Sequence, residues 1–245
     1  MAAAGLLAGV MTSTVGVASL VSFPVLVALG IPPVVANASN TVGLTPAGLT
    51  GSFGYRRELA ECRSATRTVM LTSSVGAIAG AFLLLALPAA VFTAIVPWLI
   101  LGTCALVGAQ PWLKRKFSGL RDGPPLGAVR LGPSTTVFAT ITGVYGGYFG
   151  AGSGVMMMAV LGLGSELEFR SINALKTLSV MASNVVATVV FLCVADLDWR
   201  ATLLLAAGSV VGGYVGARIG RRLNPNALRA LIVVIGVAAA ASMLV

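Results

Sequence analysis

The chain has 245 residues, of which 57% are hydrophobic and 9% charged, with 16 basic and 7 acidic side chains and a net charge of +9. A soluble domain carries about a quarter charged residues, so an ordinary water-soluble fold is excluded. The composition predicts an all-α polytopic membrane protein, multi-pass in the cell membrane and solvated by the lipid bilayer.

In chain order, apolar segments cover 2–29, 31–54, 66–87 and 89–112. A basic stretch follows at 113–131, carrying Lys114, Arg115, Lys116, Arg121 and Arg130 against one Asp122. A second set of apolar segments covers 133–163, 171–194, 201–220 and 226–245. The expected organisation is a first transmembrane repeat at 1–112, a cytoplasmic linker at 113–131 and a second repeat at 132–245. The alternating ten-residue pattern of a β-barrel is absent. No basic stretch precedes the first apolar segment, so it is expected to be mature structure and not a signal peptide. Basic residues flank apolar segments, as the positive-inside rule requires, so the charge implies no nucleic acid partner.

The two sets are related. Shifted by 136 residues, Asn37-Ala38 falls on Asn173-Ala174 and Thr41 on Thr177. Ser73, Val75, Gly76, Gly80 and Ala81 fall on Ser209, Val211, Gly212, Gly216 and Ala217. Duplication in so apolar a chain is a signature of membrane transporters. The Gly76-x3-Gly80 and Gly212-x3-Gly216 stripes predict a close helix–helix contact in each repeat.

The first segment of each set is disrupted in its middle, by "MTSTVGVAS" in one and "GVYGGYFGAGSGV" in the other. A straight helix over 2–29 would measure about 42 Å, against a hydrocarbon core of about 30 Å. Each segment is therefore either a single Gly-broken crossing or a re-entrant hairpin. Broken crossings give eight spans and parallel repeats, with ten basic residues inside and five outside, leaving Lys176 aside. Hairpins leave three transmembrane helices per repeat and invert the second repeat, which puts fourteen inside and only Arg200 outside. Charge bias favours inversion.

Paired breaks at matching places point to a site near the membrane midplane, where half-helix N-termini present N–H groups to an anion. The candidate donors are Ser19 in the first half and Gly152, Ser153 and Gly154 in the second. Asn37, Asn40 and Thr41, matched by Asn173, Lys176 and Thr177, are the candidate polar groups. Lys176 is costly within an apolar span, so it reads either as a substrate-facing cation or as a side chain snorkelling to the interface near Arg170. Tyr145, Tyr148 and Phe149 lie in the second break and either line a site or fill space. Trp98, Trp112 and Trp199 read as interface anchors.

All seven carboxylates lie in connecting segments, so a buried proton relay is not expected. Histidine is absent, and Cys62, Cys104 and Cys193 form no CxxC pair. No metal, cofactor or disulfide framework is implied. With no P-loop either, the chain reads as no enzyme.

The strings "GAGSGVMMMAV" from Gly150 and "ADLDWRATLLLAAGSVVGGYVGARI" from Ala195 resemble those of the TauE/SafE family of sulfite exporters and toluene-sulfonate permeases. The first half is looser, with Ala18 and Ser19 where the family prefers glycine, Pro24 in place, and "ELAECRSAT" where an acidic–aromatic string would stand. The resemblance covers almost the whole chain. It implies secondary transport of a small anion such as sulfite, thiosulfate or an organosulfonate. An anion-selective channel and a transporter of another organic anion are the alternatives, and a homo-oligomer is left open.

Overall fold

The computed structural model describes residues 1–14, 17–118, 131–219 and 225–244, and every regular element among them is helical. The first half comprises α1 (Ala2–Thr14), α2 (Ser19–Ala28), α3 (Pro33–Gly54), α4 (Arg56–Glu61), α5 (Arg63–Ala86) and α6 (Ala89–Ser118). The second comprises α7 (Pro133–Tyr148), α8 (Ser153–Gly164), α9 (Phe169–Val194), α10 (Trp199–Ile219) and α11 (Pro225–Leu244). Proline opens α3, α7 and α11, where its missing N–H removes no intrahelical bond. α6 runs on to Ser118, so the linker expected from residue 113 begins as helix.

The burial pattern inverts that of a soluble protein. Ser22, Asn37, Ser39, Asn40, Ser73 and Ser209 are buried, whereas Leu71, Val75, Phe138, Leu203 and Val234 are exposed. Apolar surface on this scale is stable against lipid and not against water. Among the described residues, three helices are long and apolar enough to cross a membrane, Arg63–Ala86, Ala89–Leu113 and Phe169–Val194. Trp98, Trp112 and Trp199 are exposed, where an interfacial indole belongs.

Helix starts follow the sequence offset. Pro33, Arg63 and Ala89 open α3, α5 and α6, and Phe169, Trp199 and Pro225, each 136 residues later, open α9, α10 and α11. Packing is exchanged between the halves: α1 lies on α10 and α7 on α5, while α3 lies on α10 and α9 on α5. The matched serines sit at equivalent crossings. Ser73 Oγ lies 2.7 Å from Ser179 Oγ, and Ser209 Oγ donates to the Gly43 carbonyl at 3.1 Å.

Matched helices run antiparallel. Thr45 on α3 meets Thr188 on α9 at 2.8 Å, and Ser52 further along α3 donates to the earlier Thr177 carbonyl at 3.3 Å. On α6 and α11, Gln110 meets Arg229 at 3.0 Å, and the earlier Cys104 meets the later Val233 carbonyl at 3.9 Å.

In the first half α1 ends at Thr14 and α2 opens at Ser19, and in the second half the helix is broken at residues 149–152. In the second, Thr135 Oγ1 near the start of α7 donates to the Gly164 carbonyl at the end of α8, at 2.9 Å. The two helices therefore double back as a hairpin. At 1.5 Å per residue, α7 and α8 reach about 24 and 18 Å, too short for either to cross alone.

α4 has no matched helix. Its Glu58 bonds Arg170 at the start of α9, with Nη2 at 2.6 Å and Nε at 2.8 Å from Oε1. A backbone hydrogen bond first, and the guanidinium second, hold the Glu58 carboxyl below the usual carboxylate range. The pair ties the halves together at the end where α3 finishes and α9 begins.

The α5–α7 and α10–α1 contacts are backbone against backbone. A Cβ on Gly76 would sit 2.7 Å from Val144 N, and one on Gly212 would sit 2.8 Å from the Leu6 carbonyl carbon. Neither neighbour can move without its helix. Gly76→Val and Gly212→Val are each expected to cost more than the ~1–3 kcal/mol of ordinary overpacking. The outcome to look for is loss of the monodisperse peak in detergent; a peak of wild-type size and thermal midpoint would disprove the tight crossing.

Candidate functional site

The second break is built by two left-handed glycines, Gly150 at φ 79° and Gly152 at φ 77°, a conformation that a side chain strains. They reverse the chain within four residues. Tyr145 Oη then fastens the turn by donating to the Ala151 carbonyl at 2.7 Å, with Thr103 Oγ1 of α6 at 2.8 Å from the phenol and 3.1 Å from that carbonyl. Tyr145 is thus a brace for the hairpin. Thr103 also lies hard against Gly152, where any added Cβ would strike its Cγ2.

α8 opens at Ser153, whose hydroxyl donates to the Gly150 carbonyl at 2.9 Å. The Gly152 carbonyl accepts the first helical bonds, from Val155 and Met156, at 2.9 and 3.2 Å. Among the described residues, the N–H groups of Gly152 and Gly154 donate no backbone hydrogen bond. Free N–H groups at a helix start carry a partial positive charge.

The two breaks meet across a narrow pocket of about 40 Å³, roughly one water's share of liquid volume or slightly more. Ser19 lines it from the first half, and Gly150, Ala151 and Gly152 from the second. Its walls are Leu44 and Gly48 on α3 facing Val180 and Asn184 on α9. Those walls are matched pairs, since 44 + 136 is 180 and 48 + 136 is 184, so the pocket sits where the two halves are related.

Lys176, Val180 and Asn184 recur every four residues and share one face of α9. The stem of Lys176 lies against Gly154, where an added Cβ would be 3.4 Å from Lys176 Cγ and 3.1 Å from Val180 Cγ2. Its ammonium donates to Asn173 Oδ1 at 3.2 Å. Ser19 and Gly152 therefore line the pocket, while Gly154, Lys176 and Asn173 extend from its Val180 wall along α8 and α9 without lining it. The Thr177 hydroxyl turns back to the Asn173 carbonyl at 2.8 Å, and the Ser153 hydroxyl is spent on its own turn.

Of the first-half candidates, Ser19 lines the pocket, whereas Asn37, Asn40 and Thr41 do not. Asn37 is 1% and Asn40 0% exposed, while Asn173 and Lys176 are half-buried. Asn37 Nδ2 donates to the Tyr148 carbonyl at 2.9 Å, and Ser22 Oγ to Asn40 Oδ1 at 2.5 Å. Thr41 Oγ1 bonds the Asn37 carbonyl at 3.0 Å. Among the described residues, Asn37 Oδ1, Asn40 Nδ2 and the Tyr148 hydroxyl are buried with no hydrogen-bond partner. An unmade hydrogen bond of this kind costs about 1–3 kcal/mol.

An aromatic cluster closes the same region. The Phe23 ring meets Phe149 edge-on at 5.4 Å and Phe92 at 6.3 Å, and Tyr148 meets Phe92 at 5.6 Å. At positions offset by 136 from Phe23, Phe92, Tyr148 and Phe149 the sequence has Ala159, Leu228, Thr12 and Ser13. The plug exists on one side only.

Asn184 and Thr103 are what the sequence reading missed as builders of the site, whereas Tyr145, read there as lining a site or filling space, braces the turn. Asn184 matches Gly48 and not another polar residue, so the repeat comparison passes over it. Its spacing of eight from Lys176 was the available signal.

Glycines in the break divide by what surrounds them. Gly152→Ala, strained by its φ and blocked by Thr103, is expected to lose folded protein. Gly154→Ala needs only a few tenths of an ångström from flexible side chains and is expected to fold while crowding Lys176. Thermal midpoints measured alongside anion-dependent thermal shifts check this; a Gly152→Ala protein with wild-type stability would contradict the strained turn.

The chain matches the family model described as Sulfite exporter TauE/SafE over residues 1–243. It is 28% identical over 244 residues to "Probable membrane transporter protein ORF9" of Sinorhizobium sp, covering 98% of this chain and 90% of the relative. Identity to a "Probable membrane transporter protein" of Haemophilus influenzae is 24% over 247 residues, covering 98% and 91%. To "Probable membrane transporter protein YfcA" of Escherichia coli K12 it is 24% over 246 residues, covering 98% and 86%. No solved structure gives a significant match.

Proposed function

The chain belongs to the sulfite exporter TauE/SafE family, and on that basis we propose that it is a secondary transporter of a small anion, most simply sulfite, thiosulfate or an organosulfonate. A multi-pass membrane transporter is what the family and the relatives establish. The observation that carries the finer reading is the pocket between the two broken segments, lined by Gly152 at the N-cap of α8, with Lys176 one turn along α9 from the lining Val180. Fixed N–H dipoles and an ammonium together favour an anion and disfavour a cation.

Inverted repeats are the arrangement we infer. The hairpin closed by Thr135 and Gly164 supports three crossings in the second half, and the antiparallel course of α3 with α9 and of α6 with α11 supports a twofold axis lying in the membrane plane. A twofold axis along the membrane normal would make matched helices parallel. In this orientation Asn37, Asn40 and the aromatic plug occupy the outer half, and Asn173 and Lys176 the cytoplasmic half.

The mechanism follows from that asymmetry. The outer half is closed, with orphaned amide atoms behind packed rings, and the cytoplasmic half is the more accessible. Opening the outer half would hydrate Asn37 Oδ1 and Asn40 Nδ2 and recover part of the cost of their burial. Lys176 would hold the anion on the cytoplasmic side, and Asn40, its matched residue, would meet the anion without a charge on the outer side. A narrow pocket sealed on one side favours alternating access over a continuous pore, which would need an open path through both halves. Saturable uptake of sulfite, thiosulfate or a sulfonate into proteoliposomes tests the function, and flux that rises linearly with concentration would return the reading to a channel.

Lys176→Ala is expected to weaken anion binding by about 1–3 kcal/mol, typical of a lost charged hydrogen bond, with Lys176→Arg restoring only part. Binding by titration calorimetry on folded protein decides it; unchanged affinity in Lys176→Ala would make Lys176 an interface anchor.

Accessibility is expected to follow the closed outer half. In a background lacking Cys62, Cys104 and Cys193, a cysteine at Asn184 should react with an impermeant thiol reagent from the cytoplasmic face. One at Asn40 should be protected from both faces. Asn40→Cys labelling from outside as fast as Asn184→Cys from inside would contradict the assignment of the closed side.

A further inference from the structure

A second concavity, which shares no lining residue with the central pocket, lies where α6 and α11 pack. It measures about 530 Å³, opens sideways, and is lined by Gly108, Pro111, Arg229, Ala230, Val233 and Val234. Its floor at Gly108 is clear, since a Cβ built there would meet nothing within 4 Å. Its walls are apolar except at one end. There Arg229 Nε donates to Oε1 of Gln110 at 3.0 Å, and Gln110 is itself 2% exposed. The buried amide fixes the plane of the guanidinium at the head of the groove.

We propose that this groove holds one anionic phospholipid, its phosphate at Arg229 and an acyl chain along Gly108, Ala230, Val233 and Val234. The surface around the groove is apolar: Trp112, Leu231 and Val234 are exposed. In a bilayer such a surface is solvated by lipid tails, and an apolar trough open to the side is filled by one of them. The polar end is matched as well. Arg229 lies four residues from the start of α11 and Pro111 seven residues from the end of α6, so the guanidinium sits near the headgroup level. A planar guanidinium is suited to bidentate contact with a phosphate.

The flanking sequence is basic on both helices. Lys114, Arg115 and Lys116 follow Trp112, and Arg218, Arg221 and Arg222 precede α11. The charge pattern puts this end at the cytoplasmic leaflet, where anionic headgroups concentrate and basic pockets between helices capture them. A zwitterionic lipid would bring its own cation into this field and bind less well. The inference concerns the surface of the α6–α11 pair and stands apart from the substrate of the central pocket.

The test is native mass spectrometry of the intact protein released from micelles doped with phosphatidylglycerol or with phosphatidylcholine of the same acyl chains. One phosphatidylglycerol per chain should be retained, with a preference of about tenfold over phosphatidylcholine. Retention should be lost in Arg229→Gln and in Gly108→Trp, which fills the floor without touching the charge, and only partly kept in Arg229→Lys, which keeps the charge without the planar fork. Thermal midpoints of all three in pure detergent should match the wild type, which separates lipid loss from misfolding. Equal retention of the two lipids, or retention of phosphatidylglycerol by Gly108→Trp, overturns the proposal. So does a dimer that dissociates in Gly108→Trp, because the groove would then be covered by a second copy.

Discussion

Direct contact of backbone with backbone between the two halves is the constraint on which the rest of the molecule depends. Within lipid, apolar side chains gain little by meeting each other, because tails are as apolar as leucine. What remains is close packing, and Gly76, Gly80, Gly143 and Gly147 bring α5 and α7 to van der Waals distance along their length. Gly5 and Gly212 do the same for α1 and α10. Because each of these pairs joins one half to the other, neither half has a complete core of its own. The hairpins are held by the opposite half, and so the position of the pocket is set by the interlock and not by local preference.

Much of this was legible because glycine and proline carry their reasons locally. The broken first segments could be read from glycine density and from a length that exceeds the bilayer, and Pro33, Pro133 and Pro225 mark where helices open. The small-residue stripe announced a close helix contact, which the structure places at Gly76 and Gly212. The exchange of partners between halves was not legible, since a stripe says that something packs there and not which helix does. The short α4 and its bond from Glu58 to Arg170 were hidden for the same reason, as 112 residues separate the two side chains.

The candidate site was legible in kind and incomplete in detail. Lys176 was visible as a cation in an apolar segment, and Gly152 and Gly154 as part of the break. Asn184 escaped because its matched residue is glycine, and Thr103 because a threonine on a long apolar helix usually bonds its own preceding turn. Thr103 does that too, reaching the Leu99 carbonyl at 2.8 Å, while also bracing Ala151. The string beginning "DLDWRAT" is explained by the fold. Asp198 Oδ1 accepts from Ala201 N at 2.8 Å to cap α10, and its own N–H donates to Ser39 Oγ at 2.9 Å. That is an anchoring role, and the first half manages without it because Cys62 and Arg63 stand at the matched positions, where α4 leads directly into α5.

Two equal halves would give equal inner and outer states, and the departures between them break that balance. Asn40 of the first half is matched by Lys176 of the second, and Phe23 and Phe149, one from each half, are matched by Ala159 and Ser13. In the orientation we propose, packed rings lower the energy of the closed outer half, with aromatic pairs contributing roughly 0.5–1.5 kcal/mol each beyond their buried area. The orphaned atoms of Asn37, Asn40 and Tyr148 raise it again by a comparable amount. Terms of opposite sign and similar size leave a small difference between states, which is what a transporter needs in order to be driven by a ligand of ordinary affinity. Had the orphans been replaced by apolar residues, the rings would hold the outer half shut. Without the rings, water would reach the amides and leave nothing to close it.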